Sequence, residues 1–257
     1  MVWRVLRILM MGVLIMSHGA KDDSNVMAGK DLFRLDDLAE LAARLGSIVT
    51  YQRSGTVLLV EGFEHGLGAW NIGTFGVGRA ITLTPEKAYG GEVCALYESG
   101  LGATPMVQMN RFVPVRSPGR LGLQVFFAAD DDLYGFRFGI LSGRAPWTDS
   151  FQINYHHATG KLAYYRDGPG FTFFADMGQQ YQDDDNWHNI KMVIDTESGE
   201  YVRCYFDDQV FDMSGFKPYR QARVEVPMLY ITSQCWGVAL VEGVAYVDNV
   251  IMTADEY

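Results

Sequence analysis

Residues 187–195 of this chain read WHNIKMVID, and residues 201–208 read YVRCYFDD. Both runs are rich in apolar, β-branched and aromatic residues, and Ser198-Gly199 between them is a turn signal. The pattern predicts a β-hairpin with strands at His188–Asp195 and Tyr201–Phe206. A hairpin of this kind sets its two strands side by side in an antiparallel sheet.

Similar short apolar runs continue in both directions from the hairpin, and Gly, Pro and Ser clusters separate them. The run Phe151–His156 alternates apolar and polar residues, as a half-buried strand does. The further predicted strands are Ile48–Tyr51, Thr56–Val60, Arg79–Leu83, Val93–Glu98, Met106–Val115, Gly122–Ala128, Gly135–Leu141, Phe151–His156, Lys161–Arg166, Thr172–Ala175, Met228–Ser233 and Ala245–Thr253. About a dozen strands without alternating helices predict an all-β, two-sheet antiparallel sandwich.

The sandwich does not account for the whole chain of 257 residues. Residues 1–20 have a basic start and a short apolar run, which is typical of a signal peptide. A start codon placed too early, or an arm retained for assembly, would explain the same residues. We therefore divide the chain into that segment, a linker with a short amphipathic helix at residues 21–46, and a sandwich domain at residues 47–257.

Charge and aromatic content support this division. The net charge is −10, and residues 56–257 carry 14 basic against 25 acidic side chains, so the excess belongs to the sandwich. An acidic domain argues against a nucleic-acid partner. Most of the five Trp, 14 Tyr and 15 Phe residues also lie there. The Leu-rich face of the short helix needs a partner, either the sandwich or a second copy.

The quoted hairpin resembles one in the concanavalin A-like jelly-roll superfamily, which includes laminin-G and carbohydrate-binding modules. In that pattern Trp-His begins one strand and Asp-Gly follows the other, whereas Asp208-Gln209 stands at the turn here. The domain ends resemble the same group: EGFEHG at residues 61–66, AYGG at 88–91 and YVDNVI at 246–251. The resemblance implies a jelly roll and leaves the activity open.

The resemblance also implies a structural calcium ion where the first and last strands meet. Glu64 and Asp248 would be its side-chain ligands, and carbonyl groups near Tyr89 or Gly90 would complete the oxygen shell. Solvated or hydrogen-bonded carboxylates are the alternative interpretation of the same residues.

Signatures of catalysis are sparse. The chain contains no HExxH, GxSxG or Walker motif, and no E-x-D-x-x-E of the kind found in glycoside hydrolases of this fold. The resemblance implies that a polysaccharide lyase of this fold would carry Arg, Gln, His and Tyr on its concave sheet, and Gln152, His156, Tyr164 and Arg166 have those types. We predict no enzymatic activity and keep a polysaccharide lyase or glycoside hydrolase as an alternative.

Aromatic side chains are the candidate carbohydrate contacts, because sugar rings stack on them. The candidates are Trp147, which reads as a loop residue, and Tyr155, Tyr164, Tyr165 and Trp236. Three cysteines, Cys94, Cys204 and Cys235, lie among apolar neighbours in predicted strands, which favours buried free thiols over a disulfide.

Two functions fit these observations. One is a non-catalytic, lectin-like module that binds carbohydrate or a surface protein at a cell or virion surface. The other is a structural subunit, such as a virion decoration protein or extracellular filament subunit, in which residues 1–46 contact neighbouring copies. Both imply an extracellular, cell-surface or virion location, and apart from the calcium ion neither implies a cofactor.

Overall fold

The computed structural model describes residues 55–114, 119–130, 132–144, 146–166, 168, 170–178, 186–222, 228–238 and 241–256. The segment at residues 1–20, the linker and helix at residues 21–46, and the predicted strand at residues 48–51 lie outside the described residues. Within the described part of the chain, no helix is long and apolar enough to cross a membrane.

The described residues form two sheets. In chain order the strands are β1 (Thr56–Glu61), β2 (Asn71–Val77), β3 (Ala80–Thr84), β4 (Cys94–Glu98), β5 (Leu101–Val113), β6 (Arg120–Ala129), β7 (Leu133–Arg144), β8 (Trp147–His156), β9 (Lys161–Tyr165), β10 (Phe171–Asp176), β11 (His188–Asp195), β12 (Glu200–Phe206), β13 (Gln209–Asp212), β14 (Tyr219–Ala222), β15 (Met228–Gly237) and β16 (Val244–Ala254). A short 3-10 turn, His157–Thr159, joins β8 to β9.

The first sheet has the order β13-β12-β11-β6-β16-β4-β3, with β1 also paired to β16. The second has the order β10-β9-β8-β7-β15-β5-β2, with β14 also paired to β8. Neighbouring strands run antiparallel in both sheets. The predicted two-sheet antiparallel sandwich is confirmed.

The predicted hairpin of residues 188–206 is present, and β11 has the predicted bounds. Ile190 pairs with Phe206 across β11 and β12. Asp207 adopts a left-handed conformation at the following turn, with φ of 51°. Its carboxylate accepts the backbone N–H of Asn189 at 2.8 Å and lies 2.8 Å from Nδ1 of His188. Asp207 therefore holds the start of β11 against the end of β12.

Some strand predictions were incomplete. Strands β2, β13 and β14 were not predicted, because β2 contains two glycines and the other two have only four residues each. Trp147 was interpreted as a loop residue, but it is the first residue of β8 and pairs with Arg144 and Ala222. Strand pairing on both sides overrides the turn signal of the preceding Pro146.

The two ends of the domain meet, as predicted. β1 pairs with β16, and Glu61 lies opposite Val250. This pairing gives β1 a hydrogen-bonded neighbour on one side and covers residues 250–254 of β16.

The core lies between the sheets and is strongly aromatic. Phe127 of the first sheet stacks on Phe136 of the second, with ring centroids 4.8 Å apart. Cys94, Cys204 and Cys235 are free thiols and are buried, as predicted. Burial raises the pKa of the Cys94 thiol to about 11, so it stays protonated at neutral pH.

Candidate functional site

The outer face of the second sheet carries four polar side chains in register across four neighbouring strands. Cross-strand pairing aligns Gln108 with Gln234, Gln234 with Arg137, and Arg137 with Asn154. We call these four residues the polar row. The residues next to the polar row along β7 and β8, Phe136, Phe138 and Ile153, belong to the core. Because successive side chains of a strand point to opposite faces, the polar row faces away from the core.

Hydrogen bonds connect most of the polar row. Arg137 donates from Nη1 to Oε1 of Gln234 at 3.1 Å. Gln234 in turn donates from Nε2 to Oε1 of Gln108 at 2.9 Å. The two amides are thus oriented by the guanidinium, and the row is held in one arrangement before any ligand arrives.

Arg137 is a cation in an aromatic setting. Its guanidinium carbon lies 3.9 Å from the ring centroid of Trp236 and 4.2 Å from that of Phe171. Among the described residues no Asp or Glu forms an ion pair with it. Burial lowers the pKa of Arg137 to about 9, while Tyr165 opposes that shift. The side chain therefore stays positively charged at neutral pH.

Three buried polar atoms within the polar row or beside it lack a hydrogen-bond partner. They are Oε1 of Gln152, Oδ1 of Asn154 and Oγ1 of Thr232, on side chains that are 7%, 5% and 3% exposed. A buried polar atom left unpaired costs about 1–3 kcal/mol. Such atoms usually find a partner in ordered water or a ligand.

Glycine at two positions of β7 makes room for these side chains. A Cβ at Gly139 would lie 2.7 Å from Cγ of Gln152 and 2.3 Å from the carbonyl oxygen of Phe151. A Cβ at Gly135 would lie 3.3 Å from Oδ1 of Asn154. A larger residue at Gly139 would collide with the backbone of β8 and with the Gln152 side chain, and one at Gly135 would crowd Oδ1 of Asn154.

Aromatic rings border the face. Tyr165 stacks on Phe171 with centroids 4.9 Å apart and lies 4.8 Å from the ring of Tyr219. At another border the imidazole of His156 lies 5.7 Å from Tyr134 and 5.0 Å from Phe173. Rings around a strip of polar groups are a common form of small-molecule and sugar site.

His156 is neutral at physiological pH. Burial lowers its pKa, and the positive charge of Arg137 lowers it further. Its Nε2 lies 2.7 Å from Nδ2 of Asn154. An amide nitrogen only donates, so this contact places the imidazole proton on Nδ1.

The structure separates the aromatic candidates into three groups. Tyr165 and Trp236 lie on the outer face of the second sheet beside Arg137. Tyr155 and Tyr164 point to the interior: Tyr155 is buried among the core rings, and Tyr164 stacks on Phe216.

Trp147 forms the third group. It is 43% exposed, at the opposite end of β8 from His156. Trp147 is separated from the core residues Phe151 and Ile153 by even numbers of residues along β8, so it points to the same side of the sheet as they do. It therefore does not share the outer face with the polar row.

The four residues proposed for a lyase do not lie together on one face of the second sheet. Gln152 and His156 lie on the outer face, whereas Tyr164 is turned to the core and Arg166 forms an isolated bridge with Pro218. Sequence reasoning missed Arg137. The signal was available: it is the one charged residue within the alternating run Phe136–Ile140, where core residues occupy every second position.

The residues predicted to bind calcium lie near one another at the β1–β16 end. Asp248 is buried, and its Oδ2 accepts the backbone N–H groups of Tyr89 and Gly90 at 3.0 Å each. Its Oδ1 accepts the N–H of Asn249 at 2.7 Å. Glu64 accepts the N–H of Glu92 at 2.8 Å through Oε1.

The described contacts of Asp248 are hydrogen bonds from backbone N–H groups. Tyr89 and Gly90 present N–H groups to the Asp248 carboxylate, whereas the predicted site needs their carbonyl oxygens. Among the described residues no group of three or more His, Cys, Asp or Glu side chains is arranged to hold a metal. Three backbone N–H groups thus donate hydrogen bonds to this carboxylate, and calcium binding by Glu64 and Asp248 stays a prediction.

Comparisons with known proteins give structural likeness only. No protein-family model matches the chain, and no curated protein matches it. The endo-β-1,4-glucuronan lyase of the fungus Trichoderma reesei superimposes with a TM-score of 0.55 at 8% identity, over 77% of this chain and 96% of that one. The alginate lyase vAL-1 from Chlorella virus gives 0.51 at 11% identity, over 77% and 100%.

The carbohydrate recognition domain of Emp46p in its metal-free form gives a TM-score of 0.46 at 12% identity, over 76% of this chain and 92% of that one. These similar structures are a carbohydrate recognition domain and two polysaccharide lyases. At such identities the likeness shows the fold and not the activity. The two antiparallel sheets and these similar structures show that the chain has a jelly-roll sandwich fold of the concanavalin A-like type.

Proposed function

We propose that this protein is a non-catalytic, lectin-like module that binds carbohydrate on the outer face of its second sheet. One observation carries the proposal: unpaired polar atoms of Gln152, Asn154 and Thr232 lie buried in a strip bordered by aromatic rings. Sugar hydroxyl groups both donate and accept hydrogen bonds, so they can pair with amide oxygens and with a threonine hydroxyl. Trp236 offers a flat apolar surface for the C–H face of a sugar ring, whereas the ring of Tyr165 packs between Phe171 and Tyr219 at the border of the strip.

The size of the strip favours an oligosaccharide over a single sugar. The polar row crosses four strands, which are spaced about 4.8 Å apart, so it extends for about 14 Å. The row is already oriented by its own hydrogen bonds, and a preorganised site lowers the entropy lost on binding. The carbohydrate-binding and polysaccharide-cleaving neighbours of the same fold are consistent with such a ligand.

Cleavage by a lyase mechanism is the weaker alternative. β-Elimination needs a base that takes a proton from carbon and an acid that protonates the departing oxygen. Asn154 occupies the Nε2 lone pair of His156, and Tyr164 faces the core, so the predicted set is not assembled. We expect no unsaturated product when the protein is incubated with polyuronates. Ultraviolet absorbance would detect that product and would contradict a non-catalytic role.

A glycan array, followed by affinity gel electrophoresis, tests the binding proposal. We expect Trp236→Ala to weaken binding by roughly tenfold or more, since buried aromatic contacts dominate such interfaces. Trp147→Ala is the matched control, because Trp147 lies about 24 Å from Asn154 along β8. Absence of binding to every glycan, or loss of binding in the control variant alone, would refute the proposal.

An assembly role for residues 1–46 is a separate proposal, because these residues lie outside the described part of the chain. If they join copies at a cell or virion surface, the full chain forms oligomers and a chain starting at residue 47 does not. Light scattering at high protein concentration distinguishes the two, and a monomeric full chain would contradict the assembly role.

A further inference from the structure

The polar row contains one group that a neutral sugar does not need. Arg137 carries a full positive charge, and within the described residues no carboxylate neutralises it. Of its five N–H donors, the described hydrogen bonds use only the one to Gln234. Nε is buried and has no partner. An unpaired, partly buried cation is unfavourable unless something else compensates its charge.

Contacts with the rings of Trp236 and Phe171 compensate part of that charge and fix the guanidinium plane. They do not supply hydrogen-bond acceptors. A planar guanidinium held in this way is preorganised for a carboxylate, with which it forms two parallel charge-assisted hydrogen bonds.

The position of Arg137 relates this charge to the sugar site. It lies in register between Gln234 and Asn154, so its neighbours on both strands are amides. Unpaired Oδ1 of Asn154 would accept a hydroxyl donor from the same sugar that gives its carboxylate to Arg137. A ligand that satisfies both groups therefore carries hydroxyl and carboxylate groups on one ring.

We infer that the ligand of this face is an acidic polysaccharide built from uronic acid units, and that Arg137 binds the uronate carboxylate. This inference rests on the proposed carbohydrate-binding function and names its ligand class. The net charge of the chain, −10, repels a polyanion at long range. Selectivity must therefore come from this contact itself and not from general electrostatic attraction.

The test compares each polymer with its own neutral form. Alginate, polygalacturonate and polyglucuronate are each used before and after reduction of the carboxyl groups to primary alcohols, and dissociation constants are measured by calorimetry. We expect at least one acidic polymer to bind roughly ten- to a hundredfold more tightly than its reduced form, as a hydrogen-bonded charge pair provides.

Variants then assign the preference to Arg137. Arg137→Gln should abolish the difference between the acidic and reduced forms, while Arg137→Lys should keep part of it. Arg120→Gln is the matched control, because it removes the same charge from the first sheet and should leave the preference unchanged. Thermal melting of each variant verifies that the sandwich is intact, and the lysine variant keeps the test valid if the glutamine variant does not fold.

Three results would overturn the inference. Equal binding of acidic and reduced polymers would reject a carboxylate-selective site and leave the carbohydrate-binding function standing. An Arg137→Gln variant that loses both forms equally would mean that Arg137 only supports Trp236. Absence of binding to every polymer, acidic and reduced, would reject the ligand class, and a blank glycan array would then reject the proposed function as well.

Discussion

The guanidinium of Arg137 lies 3.9 Å from the ring centroid of Trp236, although 99 positions separate the two residues in the chain. Adjacent strands β7 and β15 bring them together, because Gln234 pairs with Arg137 and places Trp236 one step further along the same face. The contact joins the charged and the aromatic parts of the proposed site. The charge of Arg137 also reaches His156 and lowers its pKa.

Replacing Arg137 by Gln should raise the pKa of His156. The positive charge of Arg137 is the second cause that holds this pKa down, so its removal lets the imidazole protonate at higher pH. Burial is the larger cause and remains, so the pKa should stay below its ordinary value. NMR titration of the imidazole signals measures it, with Arg120→Gln as the control. A His156 pKa that is unchanged or lower in Arg137→Gln would contradict this arrangement.

Tyr201→Phe should destabilise the domain by about 1–3 kcal/mol. The Tyr201 hydroxyl accepts the backbone N–H of Gln152 at 2.8 Å and donates to the carbonyl oxygen of Tyr165 at 3.0 Å. It therefore anchors β8 and β9 from inside, directly behind the binding face. Urea unfolding measures the loss.

Tyr205→Phe on the same strand is the control for that change, since no described hydrogen bond involves the Tyr205 hydroxyl. It should alter the free energy of unfolding by less than about 0.5 kcal/mol. Equal losses in the two variants would show that the Tyr201 hydrogen bonds contribute no stability of their own.

Lys191→Met should be strongly destabilising by itself. Lys191 Nζ lies 2.7 Å from Oε1 of Glu256, and the two side chains are 1% and 0% exposed. Removing the cation leaves the buried carboxylate of Glu256 without its opposite charge, at a cost of about 3–5 kcal/mol. The double variant Lys191→Met/Glu256→Leu removes both charges and should lose less. Urea unfolding of the natural chain, the Lys191→Met and Glu256→Leu single variants and the double variant gives the coupling energy between the two residues. Additive losses of stability would contradict a direct interaction.

Asp248 should make the domain less stable as the pH rises. Burial raises its pKa from 3.8 to about 6, against the opposing effect of three backbone N–H donors. The folded state therefore holds this proton more tightly than the unfolded state does. Its stabilising effect is complete below about pH 4 and is lost as the pH passes through about 6. At about 1.4 kcal/mol per pKa unit the change is on the order of 3 kcal/mol.

Free energies of unfolding at pH 4.5 and 7.5, compared between the natural chain and Asp248→Asn, measure this contribution. The free energy of unfolding of the variant should not show the decrease with pH that Asp248 causes in the natural chain. An identical pH profile of the two proteins would contradict a raised pKa of Asp248. Adding calcium chloride at pH 7.5 tests the predicted metal site in the same experiment. Bound calcium would raise the stability of the natural chain and not that of the variant.

Local sequence patterns were sufficient for most of the strands. Alternating residues in Phe151–His156 and the apolar run of β11 reflect burial on one or both faces, and burial is what a strand sequence must satisfy. The same alternation groups Tyr155 with the core residues Phe151 and Ile153, so its interior position follows from the sequence pattern alone. Tyr164 and Tyr165 are adjacent and must face opposite sides, but the sequence does not say which of them faces the core.

The candidate site depended on pairings between distant strands. Gln108, Arg137, Asn154 and Gln234 come from four strands, and each of them separately looks like an ordinary polar residue on a half-buried strand. Their common property arises only when the strand order β8-β7-β15-β5 sets them side by side.

The amino-acid pattern thus specified an acidic, aromatic β-sandwich, because the burial of alternate residues is a local requirement that each strand satisfies by itself. The folded arrangement alone turned Arg137 toward Trp236, left the amide oxygens of Gln152 and Asn154 unpaired, and turned the amides of Tyr89 and Gly90 toward Asp248. Those contacts join residues far apart in the chain. Their geometry follows from strand order and register, which the packing of the whole sandwich selects.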